Sequence, residues 1–271
     1  MTKISELGGS SHAFSVVQAA RAQPIYGARL LMRANAKPGK IDRVVSTLGR
    51  AIANGDYDVG SVLPREQDLE VRLNAGRGVV REAVKILATK GLVTVGPRHG
   101  TRIQARQNWN YLDREVLAWL GASQQDHSLL LALEETRRII EPAAAALAAE
   151  RATAAERQTI KDAYDTMEKY SGDLAVATQA DRVFHLAILD ATHNPVLGSF
   201  RSGLEAILHT VFAVAMPGLA PNLPNHKAVA HAIERGDAYD ARAAMELLLD
   251  RTHSFLTETF RIAATDVEVA E

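Results

Sequence analysis

The sequence predicts a mainly α chain organised as two domains: a small basic module that carries a short β-hairpin, followed by an all-α bundle. Three observations predict it. Apolar residues recur at helical spacing over most of the chain, and strand-like alternation is confined to Leu92-Val93-Thr94-Val95 and Thr101-Arg102-Ile103. Charge is divided unevenly, residues 1–110 holding 17 Lys and Arg against 8 Asp and Glu, a net of +9, while the remainder carries −10. The balance of −1 therefore hides a basic half and an acidic half, and a polyanionic partner is expected at the first. Finally, 271 residues with 47% hydrophobic content are enough for two modest cores.

Residues 1–40 hold Gly8-Gly9-Ser10-Ser11 and five scattered Lys and Arg from Arg21 to Lys40, and are expected to form a flexible extension. They read as a plain tail, or as an addition ahead of a true beginning at Met32, in preference to a mobile basic arm. From Ile41, the positions Val44, Val45, Leu48 and Ile52 give the first clear amphipathic helix. Leu63-Pro64 precedes a short helix from Arg65 to Leu73, because proline disfavours helix at the residue before it. Asn74-Ala75-Gly76 makes a sharp turn into a second helix, Arg77 to Lys90.

That second helix divides its faces. Val80, Ala83, Val84 and Leu87 can seat it on a core, while Arg77, Arg81 and Lys85 at i, i+4 and i+8 form a separate stripe. A helix lodged in the major groove of DNA needs that division, with guanidinium forks offered to phosphates or guanine edges. Leu92 to Val95, a turn at Gly96-Pro97-Arg98-His99-Gly100 and Thr101 to Ile103 then form a basic wing whose glycine tip permits close approach to a sugar-phosphate backbone. Residues 41–103 are thus expected to be a winged helix-turn-helix that binds double-stranded DNA.

Gln104 to Asn108 reads as a linker, and residues 109–264 as a bundle of six or seven helices, with 265–271 a tail. The expected helices are Trp109 to Leu120, Leu129 to Arg151, Ala154 to Ser171, Leu174 to Ala191, Pro195 to Ala215, His226 to Arg235 and Asp237 to Ile262. Gly172-Asp173, His193-Asn194-Pro195, the Pro217–Pro224 loop and Gly236-Asp237 supply the breaks.

Three groups in the bundle are out of place for a simple core. Asp181 and His185 are i, i+4 beside Phe184 and Ile188, and a carboxylate and an imidazole on one face make half of a metal site. Arg137 and Glu141 share the same spacing on an aliphatic helix, where an arginine can fork onto a ligand carboxylate. His226 opens the penultimate helix and can complete a ligand set. By spacing alone each also reads as something plainer: a hydrogen-bonded pair, an intrahelical salt bridge and an exposed histidine.

The run from Val44 to Ile103, with Leu63-Pro64, Glu66, Leu69, Arg77, Val80-Arg81-Glu82-Ala83, Gly91-Leu92-Val93 and Gly100-Thr101, resembles the winged helix-turn-helix of GntR-type transcription regulators. Gly76 departs from the serine or threonine usual at that helix cap, so one phosphate-contacting hydroxyl is absent. The resemblance implies DNA contacts from Arg65, Arg77, Arg81, His99 and Gly100, with Lys85 and Arg98 secondary. Arg137 to Pro142, Asp181 to Pro195, and His226 through Met245 are similar to the helical effector domain of the FadR subfamily, called FCD. That likeness implies a homodimer and a divalent metal, zinc favoured, held by Asp181, His185 and His226 beneath a small carboxylate effector, with Arg137, Glu141 and Asn194 as further effector contacts. The family's last histidine is replaced by Leu248. Two consequences stay open: a three-ligand site with free coordination positions, or a cavity without metal. Asn108 to Asp113, Ala148 to Thr153 and His193 to Leu197 are similar to galactonate-operon repressors, which implies a repressor answering to a sugar acid such as galactonate.

The chain has no cysteine, which removes disulfides and thiolate metal sites. A cytoplasmic protein without a membrane partner is expected, since no run of about 18 apolar residues occurs. An enzyme is not expected: Gly76-Arg77-Gly78-Val79-Val80-Arg81 lacks the third glycine of a dinucleotide fingerprint, and there is no HExxH. The rival readings are a metal-dependent hydrolase and a nonenzymatic ligand-binding bundle.

Overall fold

The computed structural model describes residues 39–97, 99–121 and 127–270, with side chains described as far as Arg261. The expected extension over 1–40 therefore lies almost entirely outside the described residues, as does Arg98. The chain divides into two compact units, one comprising Lys37–Leu130 with Ser202–Thr210 and the other Leu131–Arg201 with the chain from Val211 onward.

The first unit begins with α1 (Lys40–Ala53), whose first backbone N–H donors are helped by Asp42, its carboxylate accepting from Gly39 N at 2.9 Å. Val44, Val45, Leu48 and Ile52 are buried on one face. Helix α2 (Glu66–Arg72) starts one residue later than the sequence suggests, with Arg65 as its cap, and α3 (Arg77–Thr89) follows a turn in which Asn74 takes φ +45°. Helix α3 buries Val80, Ala83, Val84 and Leu87, the four positions its periodicity selects.

Strands β1 (Val93–Gly96) and β2 (Gly100–Ile103) pair antiparallel, Val93 opposite Ile103 and Gly96 opposite Gly100. The approach to α2 adds a rung, Leu63 N donating to Thr101 O at 2.8 Å and Ile103 N to Ser61 O at 3.0 Å. The wing is tied down by these bonds before the chain leaves it.

Beyond the wing the chain turns back along the same unit. Arg106–Asn108 is a single 3₁₀ turn, and α4 (Arg114–Gly121), expected to open the bundle, packs on α1. Trp109, Val116, Trp119 and Leu120 enter one core with Leu48, Leu87 and Leu92. Gly49 makes room for the indole of Trp119, since a Cβ there would fall 2.3 Å from the ring. Gly91, at φ +79°, lies so near the Asn108 carbonyl oxygen that a Cβ would sit 2.1 Å from it. Lys90, closing α3, is buried and bonds Asp113 at 2.7 Å and Glu115 at 2.8 Å.

The second unit is helical among the described residues. It contains most of α5 (His127–Arg151), then α6 (Ala154–Lys169), α7 (Leu174–Asp190), α8 (Pro195–Ser199), the last part of α9 (Arg201–Ala215), α10 (Leu219–Arg235) and α11 (Ala238–Ala270). Helix α6 packs along α7, and α10 packs along α11 and against α6. Thr153 and Glu156 form a reciprocal cap on α6, and Gly236, at φ +75°, ends α10.

The stretch from Pro217 to Pro224 is not the expected loop. After a 3₁₀ turn at Met216–Gly218 the chain is already α-helical from Leu219. Pro221 falls in the first turn, where its missing N–H has no intrahelical acceptor to lose, and Pro224 removes only one further bond. His226 is consequently not at a helix start but about two turns inside α10.

Candidate functional site

Two constellations of charge stand out, one on the surface of the first unit and one buried in the second. On α3 the side chains of Arg77, Arg81 and Lys85 are 73%, 58% and 68% exposed, so the stripe faces water as its spacing implies. Arg65 and His99 are exposed as well. The His99 Nδ1–H donates to the Pro97 carbonyl at 3.1 Å, and Gly100 takes φ +71°. A groove of about 420 Å³ runs between wing and helices, lined by Arg65, Glu66, His99 and Gly100 among others. Glu66, one of the residues that carry the family resemblance, was not given a role at the site, although it opens α2 directly after Leu63-Pro64-Arg65. Its carboxylate stands 3.9 Å from Arg77 Nε and 3.6 Å from Arg81 Nε, near enough to orient both without a close hydrogen bond.

The second constellation lies where α5, α7 and α10 meet. Asp181 and His185 project together from α7, and both are buried, as are Arg137, Glu141 and His226. Glu134 and Asn222 join them, one turn before Arg137 and His226 on their helices. Spacing offered a signal for Glu134, which stands at i−3 to Arg137. Asn222 was hidden by the reading of its segment as a loop.

The hydrogen bonds fix which ring atoms are free. Asn222 O lies 3.1 Å from His226 Nδ1, so Nδ1 carries the proton and donates it. His185 Nδ1 is in close contact with Glu141 Oε2 and donates likewise. In their neutral forms both histidines therefore present an unprotonated Nε2, that of His185 accepting from Arg137 Nη2. These two atoms converge on a single acceptor, Asp181 Oδ1, at 3.1 Å from His185 and 3.2 Å from His226. Three lone-pair atoms so placed repel one another unless a proton or a cation lies among them. The donor set thus fits a divalent ion, its atoms all within 4.8 Å of one another, and a carboxylate behind a coordinating histidine is the arrangement that orients such a ring.

The charges of the cluster answer one another. Three buried carboxylates, Glu134, Glu141 and Asp181, surround one guanidinium. Arg137 donates from Nη1 to Glu134 at 3.0 Å, from Nε to Glu141 at 2.7 Å and from Nη2 to His185 Nε2 at 3.3 Å, and its plane lies over Phe212. Burial pushes the Glu134 carboxyl upward, and Arg137 only partly offsets it. Burial also opposes ionisation of Glu141, yet Arg137 and His185 outweigh it and hold the group at about 2. For Asp181 the same contest against burial is won by His226 and His185, which hold it well below the carboxylate range. Desolvation disfavours a charged His185, but Glu141 and Asp181 prevail and raise it to about 9. The buried carboxylates thus draw positive charge onto His185 as well as Arg137.

A cavity of about 450 Å³ opens beside these groups, lined by Arg137, Asp181, His185, Asn222 and His226 at its polar end. Glu141 stands behind His185 and does not line it. Asn194 is elsewhere: its side chain caps α8, accepting from Val196 N at 3.0 Å and Leu197 N at 3.3 Å. Leu248 lines the cavity where the resemblance would have a fourth ligand, and His253 is not part of the cluster.

Two family models match the chain: "Bacterial regulatory proteins, gntR family" over residues 40–103 and "FCD domain" over 132–251. The galactonate operon transcriptional repressor of Escherichia coli is 35% identical over 219 residues, 79% of this chain and 95% of that protein. The Glc operon transcriptional activator of the same organism is 31% identical over 176 residues, 63% of this chain and 68% of that one. Among solved structures, Lar, which controls expression of the Listeria monocytogenes agr system, shares the fold with a TM-score of 0.60 at 17% identity, covering 83% of this chain and 99% of that one. An exposed arginine stripe beside a wing, and a buried cavity with convergent polar groups, are what these matches join in one chain: it belongs to the GntR family of bacterial transcription regulators, in the group that carries an FCD domain.

Proposed function

We propose that this chain is an effector-gated, dimeric, cytoplasmic repressor of transcription. Helix α3 enters the major groove of a double-stranded operator. There Arg77 and Arg81 contact bases or phosphates, Arg65 and the wing tip at His99 and Gly100 contact the backbone, and Lys85 and Arg98 add electrostatic reach. The unequal charge of the two halves supports this assignment, as does the similarity to a galactonate operon repressor, whereas the similarity to an operon activator makes the sign of regulation the first point to test.

The effector is a small hydroxycarboxylate bound in the cavity of the second unit. Asp181, His185 and His226 would hold a divalent ion, zinc being favoured by its nitrogen and oxygen donors, and that ion would supply the positive charge that draws in a carboxylate. Arg137, committed to Glu134, Glu141 and His185, acts as the group that keeps this anionic cluster assembled more than as a free fork for the ligand. Sugar acids such as galactonate are the class suggested by the motifs shared with galactonate-operon repressors. Binding shifts the population between two arrangements by its differential affinity for them.

The observation that carries this reading is the convergence of two imidazole Nε2 atoms on one buried carboxylate oxygen at the edge of a cavity. The test begins with an operator selected from a random duplex pool using full-length protein, followed by titration with hydroxycarboxylates. The expected result is metal retained on purification, together with operator binding altered by a hydroxycarboxylate in the wild type and unaltered in Asp181→Ala. A wild type that carries no metal and responds identically to the variant would overturn it.

A further inference from the structure

The apolar part of the cavity's lining bears on which acid it takes. Besides Asp181 and the histidines its lining includes Phe212, Met216, Leu219, Leu248 and Phe255. The first four are buried, and Phe255 is partly so. Phe255 is held by Gly218, where an added Cβ would meet the ring at 3.1 Å.

The hydroxyl and amide groups along this wall are committed to the protein. Thr252 Oγ1 donates to Leu248 O at 3.2 Å, Ser254 Oγ to Asp250 O at 2.8 Å and Thr259 Oγ1 to Phe255 O at 2.8 Å, each back-bonding to its own helix. Asn222 Nδ2 donates to Leu248 O at 3.1 Å and Thr252 Oγ1 at 3.2 Å, while its Oδ1 accepts from Asn225 at 2.8 Å. The hydroxyl and amide donors that a polyhydroxylated chain would need are thus in use, and the charged groups that also line the cavity, Arg251 and Glu258, stand exposed. Each buried hydroxyl of such a chain that went without a partner would weaken binding, whereas hydrocarbon on the same wall would strengthen it. A volume of about 450 Å³ also falls within the ordinary range for drug-sized ligands and leaves room beyond a bare two- or three-carbon acid.

The geometry points to an effector that is a 2-hydroxycarboxylate with a branched or aromatic hydrocarbon body, selected by Leu248 and Phe255, rather than a sugar acid. This rests on the effector-site reading given above and narrows its ligand class. The carboxylate and 2-hydroxyl face the Asp181 end, where the three-residue ligand set leaves coordination positions that a fourth histidine would have taken. The body lies along Phe212, Met216 and Phe255. Leu248 then serves two purposes through one substitution: it withholds a ligand from the ion and extends the apolar wall.

Isothermal titration of the full-length, metal-replete protein with 2-hydroxy-4-methylpentanoate, mandelate and galactonate tests this. At least one of the first two is expected to bind ten-fold or more tightly than galactonate. Phe255→Ser, at a partly exposed position, should erase most of that preference, and Leu248→His should tighten metal retention against a chelator while weakening the apolar acids. Galactonate binding equal or tighter, lost in Asp181→Ala, would overturn the apolar selection and leave the effector site standing. Absence of binding by all three acids, or binding indifferent to Asp181→Ala, would overturn both.

Discussion

Arg77, Arg81 and Lys85 on α3 and the pairs Arg137–Glu141 and Asp181–His185 on α5 and α7 obey the same spacing, and their surroundings are opposite. On α3 the charges stand in water, where an ion pair such as Glu66 with Arg81 is worth little and each side chain is free to meet a phosphate. On α5 and α7 the charges are buried, so every group is held by another and the loss of one leaves its partner desolvated. Spacing therefore says which residues share a face. What that face does depends on what covers it.

The contrast can be broken most forcefully at Arg137. Arg137→Met removes the guanidinium held among three buried carboxylates and is expected to lower stability by about 3–5 kcal/mol in urea unfolding. An unfolding midpoint within error of the wild type would show that the cluster is not held in this way. Next in size is Glu141→Gln, which keeps the shape but weakens the acceptor behind His185. Metal affinity, read by competition with a chromophoric chelator, should fall about 10–100-fold, with operator affinity in the absence of effector unchanged.

Arg81→Ala tests the exposed side of the comparison. A loss of about 1–3 kcal/mol in operator affinity with relaxed preference at one base pair is expected, without change in unfolding. Equal affinity on matched duplexes would remove Arg81 from the contact surface. The smallest effect is at Glu66: Glu66→Gln relieves the carboxylate that stands near Arg77 and Arg81, and non-specific DNA affinity at low salt should rise by less than about 1 kcal/mol. A fall instead would mean that Glu66 presents the arginines to DNA rather than competing for them.

The DNA-reading module was legible because its information is local. The apolar positions of α3, the Asn74 turn and the wing hairpin are set by residues within a few positions of one another, and the structure has them where periodicity and turn chemistry put them. The buried site was legible only in part. Asp181, His185 and His226 do converge, and Arg137 lines the cavity, but its bond to His185 forms only when α5 meets α7, and Glu134, at i−3 on the same helix, was passed over. Asn194 looked like a polar site residue and is a helix cap, a role that the following proline already signals. Prolines at 217, 221 and 224 suggested a loop because a breaker-based reading takes no account of how harmless proline is in a first turn. That error displaced His226 toward a helix end and concealed Asn222.

The seat of Trp119 in the hollow over Gly49 has a practical consequence. Family matching divides this chain somewhere between 103 and 132, yet a fragment ended at the wing would lose both tryptophans of a shared core and leave the aliphatic flank of α1 bare. Anyone seeking the smallest piece that still recognises DNA should cut no earlier than Gly121, and should expect even that piece to miss Thr210, whose methyl group lies beside Gly121.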